Sequence, residues 1–181
     1  LGNNGVHALD LARWGLGVAT HPQLASGYGQ KLFFDDDQQF PDTQYVAFEY
    51  PGEGEIGQRR LLVYEQRIWS PYRQQELENG VAFYGTEGKM ILGKGWGWQR
   101  FGPRDKPLET QRCSMQNEPH AEDFIDAMRS GRLPNADIRI GHLSATLTHL
   151  GNIVARVGRP VRFDPQSEQI IDDAEAERLV R

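Results

Sequence analysis

Between Ser26 and Phe101 six short segments rich in β-branched and aromatic residues follow one another with no helix-length run among them. They are SGYGQKLFF (26–34), TQYVAFEY (43–50), RLLVYEQRIW (60–69), VAFY (81–84), KMIL (89–92) and WGWQRF (96–101). Polar or Gly/Pro-containing turns separate them, which is how strands are punctuated. Parallel neighbours need a crossover of a dozen or more residues, so strands joined this directly must pair mostly antiparallel. The expectation is one open, predominantly antiparallel (mixed) sheet. TQYVAFEY alternates, with Tyr45, Ala47 and Glu49 opposite Val46, Phe48 and Tyr50, so one sheet face is expected to be buried and the other open. Gly85-Thr86-Glu87-Gly88 between two runs reads as a hairpin turn.

Helical periodicity brackets this strand region. Val6, Leu9, Ala12 and Leu16 recur at helical spacing before Gly17, and Asn3-Asn4-Gly5 supplies turn and capping chemistry, predicting a helix over about 5–16. Residues 18–25, with His21-Pro22, read as a loop, and residues 102–117 as another. A second helix carries His120, Phe124 and Met128 on one face and stops near Gly131. A third covers 138–157, with Leu143, Leu147, Leu150, Val154 and Val157 as its apolar stripe. Val161–Asp164 returns as a short strand and 175–180 as a last helix. This order predicts an α+β fold with helices packed on one sheet face. With 181 residues there is room for one domain with a real core.

Charge and composition exclude several classes. A net charge of −5, with Arg59-Arg60 the nearest thing to a basic cluster, argues against a nucleic-acid partner. No apolar run is long enough to cross a bilayer, so no membrane partner is expected. The lone Cys113 excludes an internal disulfide and a cysteine-based zinc cage. The chain opens without Met in what reads as a helix start, so a fragment of a longer protein is expected, and cytoplasmic and exported locations both stay open.

The opening stretch LGNNGVHALDLARWGLG places His7 in the first turn of a helix and Asp10 one turn on. Imidazole titrates near neutral pH and serves as a general base; Asp10 could orient it, or hold the helix in place. Trp14 is read as core packing, and His120 as buried and hydrogen-bonded. His142 and His149 lie seven apart on one helix, but two His without a third ligand make a poor metal site, and no metal is expected. Trp69, Tyr72, Trp96 and Trp98 read as an aromatic group near strand ends, suited to an interface more than to a sugar platform.

GNNGVHALDLARWGLG is similar to the first motif of the C-terminal domain of the glucose–fructose oxidoreductase / inositol dehydrogenase / rhizopine catabolism (Gfo/Idh/MocA) family. YGTEGKMIL resembles that domain's sheet hairpin, and the stretch from EPHAEDFIDAMRSGRLP to GNIVARVGRPVRFDP resembles its closing helices. The likeness runs through nearly all of the sequence in the family's order, and the Asn-Asn-Gly variant resembles one bacterial subgroup. It implies that residues 1–181 are a single C-terminal substrate-binding and oligomerisation domain, lacking the N-terminal dinucleotide-binding domain. No G-x-G-x-x-G follows a strand, and Gly93–Gly97 lies between strands, so no Rossmann domain and no cofactor are expected in this chain.

The implied function is the substrate side of an NAD(P)-dependent oxidoreductase acting on a sugar, polyol or related carbohydrate, with NAD or NADP bound in the full-length protein and the isolated fragment inactive. The resemblance assigns His7 to proton transfer and Asn3, Asn4 and Asp10 to substrate contact. Many members carry Asp where this chain has Asn3, and an amide hydrogen-bonds a hydroxyl without taking its proton. It also implies a homo-oligomer formed through the open sheet face. The alternatives are NAD-dependent glycoside cleavage on the same fold, and a non-catalytic oligomerisation or ligand-binding module.

Overall fold

The structure, a computed structural model, describes residues 1–52 and 58–180. These fall into two compact units, one formed by residues 1–71 with 142–181 and the other by residues 72–141.

In the first unit a helix α1 (Gly5–Gly15) leads through a loop to strand β1 (Leu24–Gln30), followed by β2 (Thr43–Tyr50) and β3 (Arg60–Arg67). The chain returns in a long helix (Ile138–Val157), strands Val161–Asp164 and Gln169–Ile171, and a short helix Ala174–Glu177. In chain order these last elements are α3, β8, β9 and α4. Strands pair antiparallel in the order β3-β2-β1-β8-β9.

Alternation along β2 decides which face is covered. Gln44, Val46, Phe48 and Tyr50 are buried, whereas Tyr45 is exposed and Ala47 and Glu49 are half-buried. Register carries the buried face across the sheet, since Phe48 lies opposite both Ala25 and Leu62. Helix α3 packs on that face: the Gln44 amide donates to the Gly151 carbonyl at 2.8 Å. A Cβ at Gly151 would make ordinary contact with Val46 and Phe48, at 3.4 and 3.6 Å, but would meet the Leu1 side chain at 2.5 Å. Leu147, Leu150 and Val154 fill the space between, which is the periodic stripe read from the sequence.

The second unit holds β4 (Gly80–Tyr84), β5 (Lys89–Gly93), β6 (Gly97–Phe101) and β7 (Pro107–Gln111), a four-stranded antiparallel sheet in sequential order, with a 3-10 turn at Pro103–Asp105. The β4–β5 hairpin closes at the expected turn, where Gly85 N–H donates to the Gly88 carbonyl at 2.9 Å. Helix α2 (Glu118–Ser130) ends at Gly131, whose φ of +73° is the left-handed conformation that glycine adopts without strain.

The α+β class with antiparallel pairing is as the sequence predicts, but two sheets stand where one was expected. Strand β8 takes the neighbouring position beside β1, with Ala25 opposite Val161, and β4 to β7 pair sequentially in a sheet of their own. Strand β7 falls inside 102–117, which the sequence reads as loop, and β9 lies between the predicted short strand and the terminal helix, which is shorter than predicted. The first strand also ends at Gln30, not Phe34. The reason is chemical. The backbone N–H groups of Leu32, Phe33 and Phe34 all donate to the Asp42 carboxylate at 2.8–3.1 Å, so they are withdrawn from any ladder.

Candidate functional site

Helix α1 begins at Gly5 with Asn4 as its N-cap residue, although the Asn4 side chain makes no capping hydrogen bond. Asn3, Asn4 and His7 are exposed. His7 donates its backbone N–H to the Asn4 carbonyl at 3.3 Å, and its ring has no partner among the described residues. Successive residues turn by about 100°, so His7 and Trp14 point within about 20° of one another. Trp14 is 73% exposed, which corrects its reading as core. The outward face of α1 thus presents an unpartnered imidazole beside an uncovered indole.

The other side of the helix is fixed by a buried guanidinium. Arg13 is 6% exposed. Its Nη1 donates to the Val18 carbonyl at 2.9 Å, its Nε to Ser144 Oγ at 3.1 Å and its Nη2 to Asp10 Oδ1 at 3.2 Å. Ser144 Oγ in turn donates to the same Asp10 oxygen at 2.5 Å. Buried cations persist when paired and hydrogen-bonded in this way. Tyr50 lies close enough to feel Arg13, yet burial dominates and pushes its phenol up to about 12, so it stays neutral. Asp10 therefore shares its helix side with Arg13 and Ser144, and α1 is clamped to α3 there. Arg13 and Ser144 were not singled out from sequence as a pair; their separation of 131 residues leaves no local signal.

Asp42 is a buried anion that sequence reading passes over. Burial by itself would raise its pKa, but the three backbone donors of residues 32–34 and the Thr43 hydroxyl at 2.8 Å outweigh that and hold the carboxyl well below the usual range. The loop it organises exposes Leu32 and Phe33, and Phe33 stacks on Trp69 with ring centroids 5.3 Å apart. Trp69 Nε1 donates to Thr43 Oγ1 at 2.9 Å. Trp69 belongs to the first unit, whereas Tyr72, Trp96 and Trp98 belong to the second, where the Arg112 guanidinium lies 3.9 Å from the Trp96 ring. His120 is exposed rather than buried, because α2 presents Phe124 and Met128 outward with it.

A third constellation joins residues distant in sequence. His21, in the loop after α1, and His142, in the first half of α3, both direct Nε2 at the Glu168 carboxylate in the β8–β9 turn. The His21 contact is 3.0 Å, and the His142 contacts are 3.0 and 2.9 Å. His21 is buried, while His142 and Glu168 are exposed. His149, which sequence spacing paired with His142, is exposed two turns further along α3 and is not in this group.

Among the described residues no helix is long and apolar enough to cross a membrane. Gly93 and Gly97 face each other across the β5–β6 hairpin, so this Gly-rich piece does not open a helix and does not form a dinucleotide cradle.

No curated protein matches the sequence. Residues 103–181 match a family model described as an oxidoreductase family C-terminal alpha/beta domain. Solved structures share the fold at low identity. One is an oxidoreductase from Agrobacterium radiobacter in complex with NAD+, L-tartaric acid and magnesium, with TM-score 0.64 and 16% identity over 87% of this chain and 47% of that one. Another is the WlbA dehydrogenase from Bordetella pertussis with NADH and UDP-GlcNAcA, with TM-score 0.55 and 18% identity over 90% and 44%. A third is aldose-aldose oxidoreductase from Caulobacter crescentus complexed with glycerol, with TM-score 0.61 and 15% identity over 88% and 46%. The chain spans about half the length of each. The family match covers residues 103–181, the last part of the chain, and is to the C-terminal alpha/beta domain of an oxidoreductase family, while the solved oxidoreductases share the fold of most of the chain.

Proposed function

We propose that this chain is the substrate-side domain of an NAD(P)-dependent oxidoreductase acting on a sugar, polyol or related carbohydrate. In this reading a dinucleotide-binding domain outside the present sequence holds the cofactor, whose contribution when bound is to accept or return a hydride. The chain's own residues handle the hydroxyl and its proton. The observation that carries the reading is the exposed His7 ring, unpartnered among the described residues, on a helix that Arg13 and Asp10 fasten to Ser144. A general base must be held still and left accessible, and α1 meets both conditions. Trp14, uncovered on the same face, marks this side of the helix as one that another surface would cover. The nucleotide and sugar-like ligands named in the structurally similar oxidoreductases support the same substrate and cofactor class.

Roles then divide by chemistry. His7 takes the proton from the substrate hydroxyl as the carbon beneath it is oxidised. Asn3 and Asn4, both exposed just ahead of the helix, offer amide donors and acceptors to neighbouring hydroxyls, but neither can accept the proton. Asp10, half-exposed beside them, acts chiefly as a positioning residue through Arg13 and Ser144, with substrate contact open to its exposed side. The test is His7→Ala and His7→Asn in the full-length enzyme. Loss of general-base catalysis is expected to lower kcat by about 10²- to 10⁴-fold. Turnover within a few-fold of the parent in both variants removes His7 from the mechanism.

The open face of the five-stranded sheet is assigned to self-association. Leu61 and Val63 on β3, and Tyr28 on β1, are each roughly half exposed or more, and register lines them up with Glu49, Ala47 and Tyr45 on β2. An apolar surface of this kind is the usual mark of an interface.

A further inference from the structure

We propose that His21, His142 and Glu168 form a binding site for a divalent transition metal of the zinc class. Along the chain His142 is paired only with His149, and on that spacing no metal is expected. In the folded chain one nitrogen from each of the two imidazoles and one carboxylate oxygen lie within 4.8 Å of one another. These three donors come from a loop, a helix and a hairpin turn. Two imidazoles with a carboxylate are a set that zinc favours, at about 2.0–2.2 Å to each donor. On tetrahedral geometry, donors at that radius stand roughly 3.3 Å apart. The observed N···O separations of 2.9–3.0 Å are within a few tenths of an ångström of that spacing.

The surroundings hold these three donors in place around one another. Glu168 Oε1 lies 3.0 Å from both Nε2 atoms and Oε2 lies 2.9 Å from that of His142, so the carboxylate faces both imidazoles. The rings meet edge to face, 5.4 Å between centroids, and His21 also packs edge-on against Phe163, which fixes its direction. Glu168 itself sits at φ +56°, a left-handed backbone in which Gly or Asn would be less strained. A residue kept there against its backbone preference supplies the carboxylate to both rings. The side chains of His142 and Glu168 are 54% and 46% exposed, whereas that of His21 is 4% exposed. Protein donors would therefore hold the ion from the inner side, and water would complete its shell from the outer one.

Zinc binding to the chelator-treated full-length protein, followed by titration calorimetry with ZnCl2, tests this. The expected result is stoichiometric binding and a rise in unfolding temperature with added zinc. Removing a residue that merely supports a metal ligand costs about 10- to 100-fold in affinity, so His142→Ala and Glu168→Gln are expected to cost on the order of 100-fold or more. His149→Ala on the same helix is expected to bind as the parent does. Cobalt(II) gives an independent readout, as visible absorption bands present in the parent and lost in His142→Ala. Circular dichroism confirms that each variant is folded; His142 is exposed, so its removal leaves no core cavity. Absence of stoichiometric binding to the parent, or equal affinity in the parent, His142→Ala and Glu168→Gln, overturns the proposal and leaves only a hydrogen-bonded trio.

Discussion

Ser144→Ala deletes one oxygen, yet that oxygen stands at the centre of the contact that holds α1 against α3. Ser144 is 2% exposed, accepts from Arg13 Nε and donates to Asp10. A hydrogen bond to a charged group contributes about 1.5–3 kcal/mol net. The Asp10 side chain is 46% exposed, so water replaces much of what that carboxylate loses, and its share falls toward the surface value of about 1 kcal/mol or less. The Arg13 side is buried and keeps nearly its full share. The two together give about 2–3 kcal/mol of destabilisation, read as a lower urea midpoint at unchanged slope. In a chain of this size that corresponds to a fall in Tm of about 4–12 °C. Asp10→Ala alone is expected to cost about 1 kcal/mol, and the double variant less than the sum, with a coupling of about 1 kcal/mol between the two sites. A Ser144→Ala variant within about 0.5 kcal/mol of the parent, or a cycle showing no coupling, would refute the clamp.

Other outcomes follow from the same structure. Phe48→Ala removes a ring that is 0% exposed between sheet and helix and is expected to cost about 3–5 kcal/mol by urea unfolding. Asp42→Asn tests the anion under residues 32–34: its folded pKa is depressed, so its stabilisation is present above the unfolded value near 3.9 and fades as pH falls through the folded one. Urea midpoints of parent and variant should differ by a constant gap above about pH 5 and converge in stronger acid; a gap that persists or widens in acid contradicts the assignment. Leu61→Glu with Val63→Glu places charges on the open sheet face, and sedimentation is expected to show a smaller assembly with unchanged circular dichroism; an unaltered assembly moves the interface elsewhere.

Local periodicity was readable where burial is local in origin. The α3 helix and the β2 strand have the bounds predicted, because their apolar stripe and their alternation coincide with the faces that are buried. Pairing was not readable, since propensity says that a segment is extended without saying beside what. Strand β7, PLETQ, is exposed throughout and carries one β-branched residue, so its ladder with β6 left no hydrophobic trace. KLFF has strand composition but surrenders its backbone donors to a carboxylate eight to ten residues on, a competition that no propensity encodes. The candidacy of His7 comes from its motif alone. The surroundings that give it meaning, Ser144 on one side and the exposed Trp14 on the other, depended on how α1 lies against α3.

His142 and Ser144 stand two residues apart on α3, and each grips a different part of the segment that follows α1. Ser144 holds Arg13, whose Nη1 reaches forward to the Val18 carbonyl, while His142 and Glu168 meet His21. The loop between α1 and β1 is thus fastened at Val18 to Arg13, which Ser144 of α3 holds, and again at His21 to Glu168, which His142 of α3 meets. Such a loop gives α1 little freedom to swing, and α1 carries His7. The two fastenings act in series on one short segment, so their effects should couple rather than add. Occupancy of the His21–His142–Glu168 site should then recover part of the stability lost in Ser144→Ala, and Val18→Gly, which loosens the chain between the fastenings, should reduce that recovery.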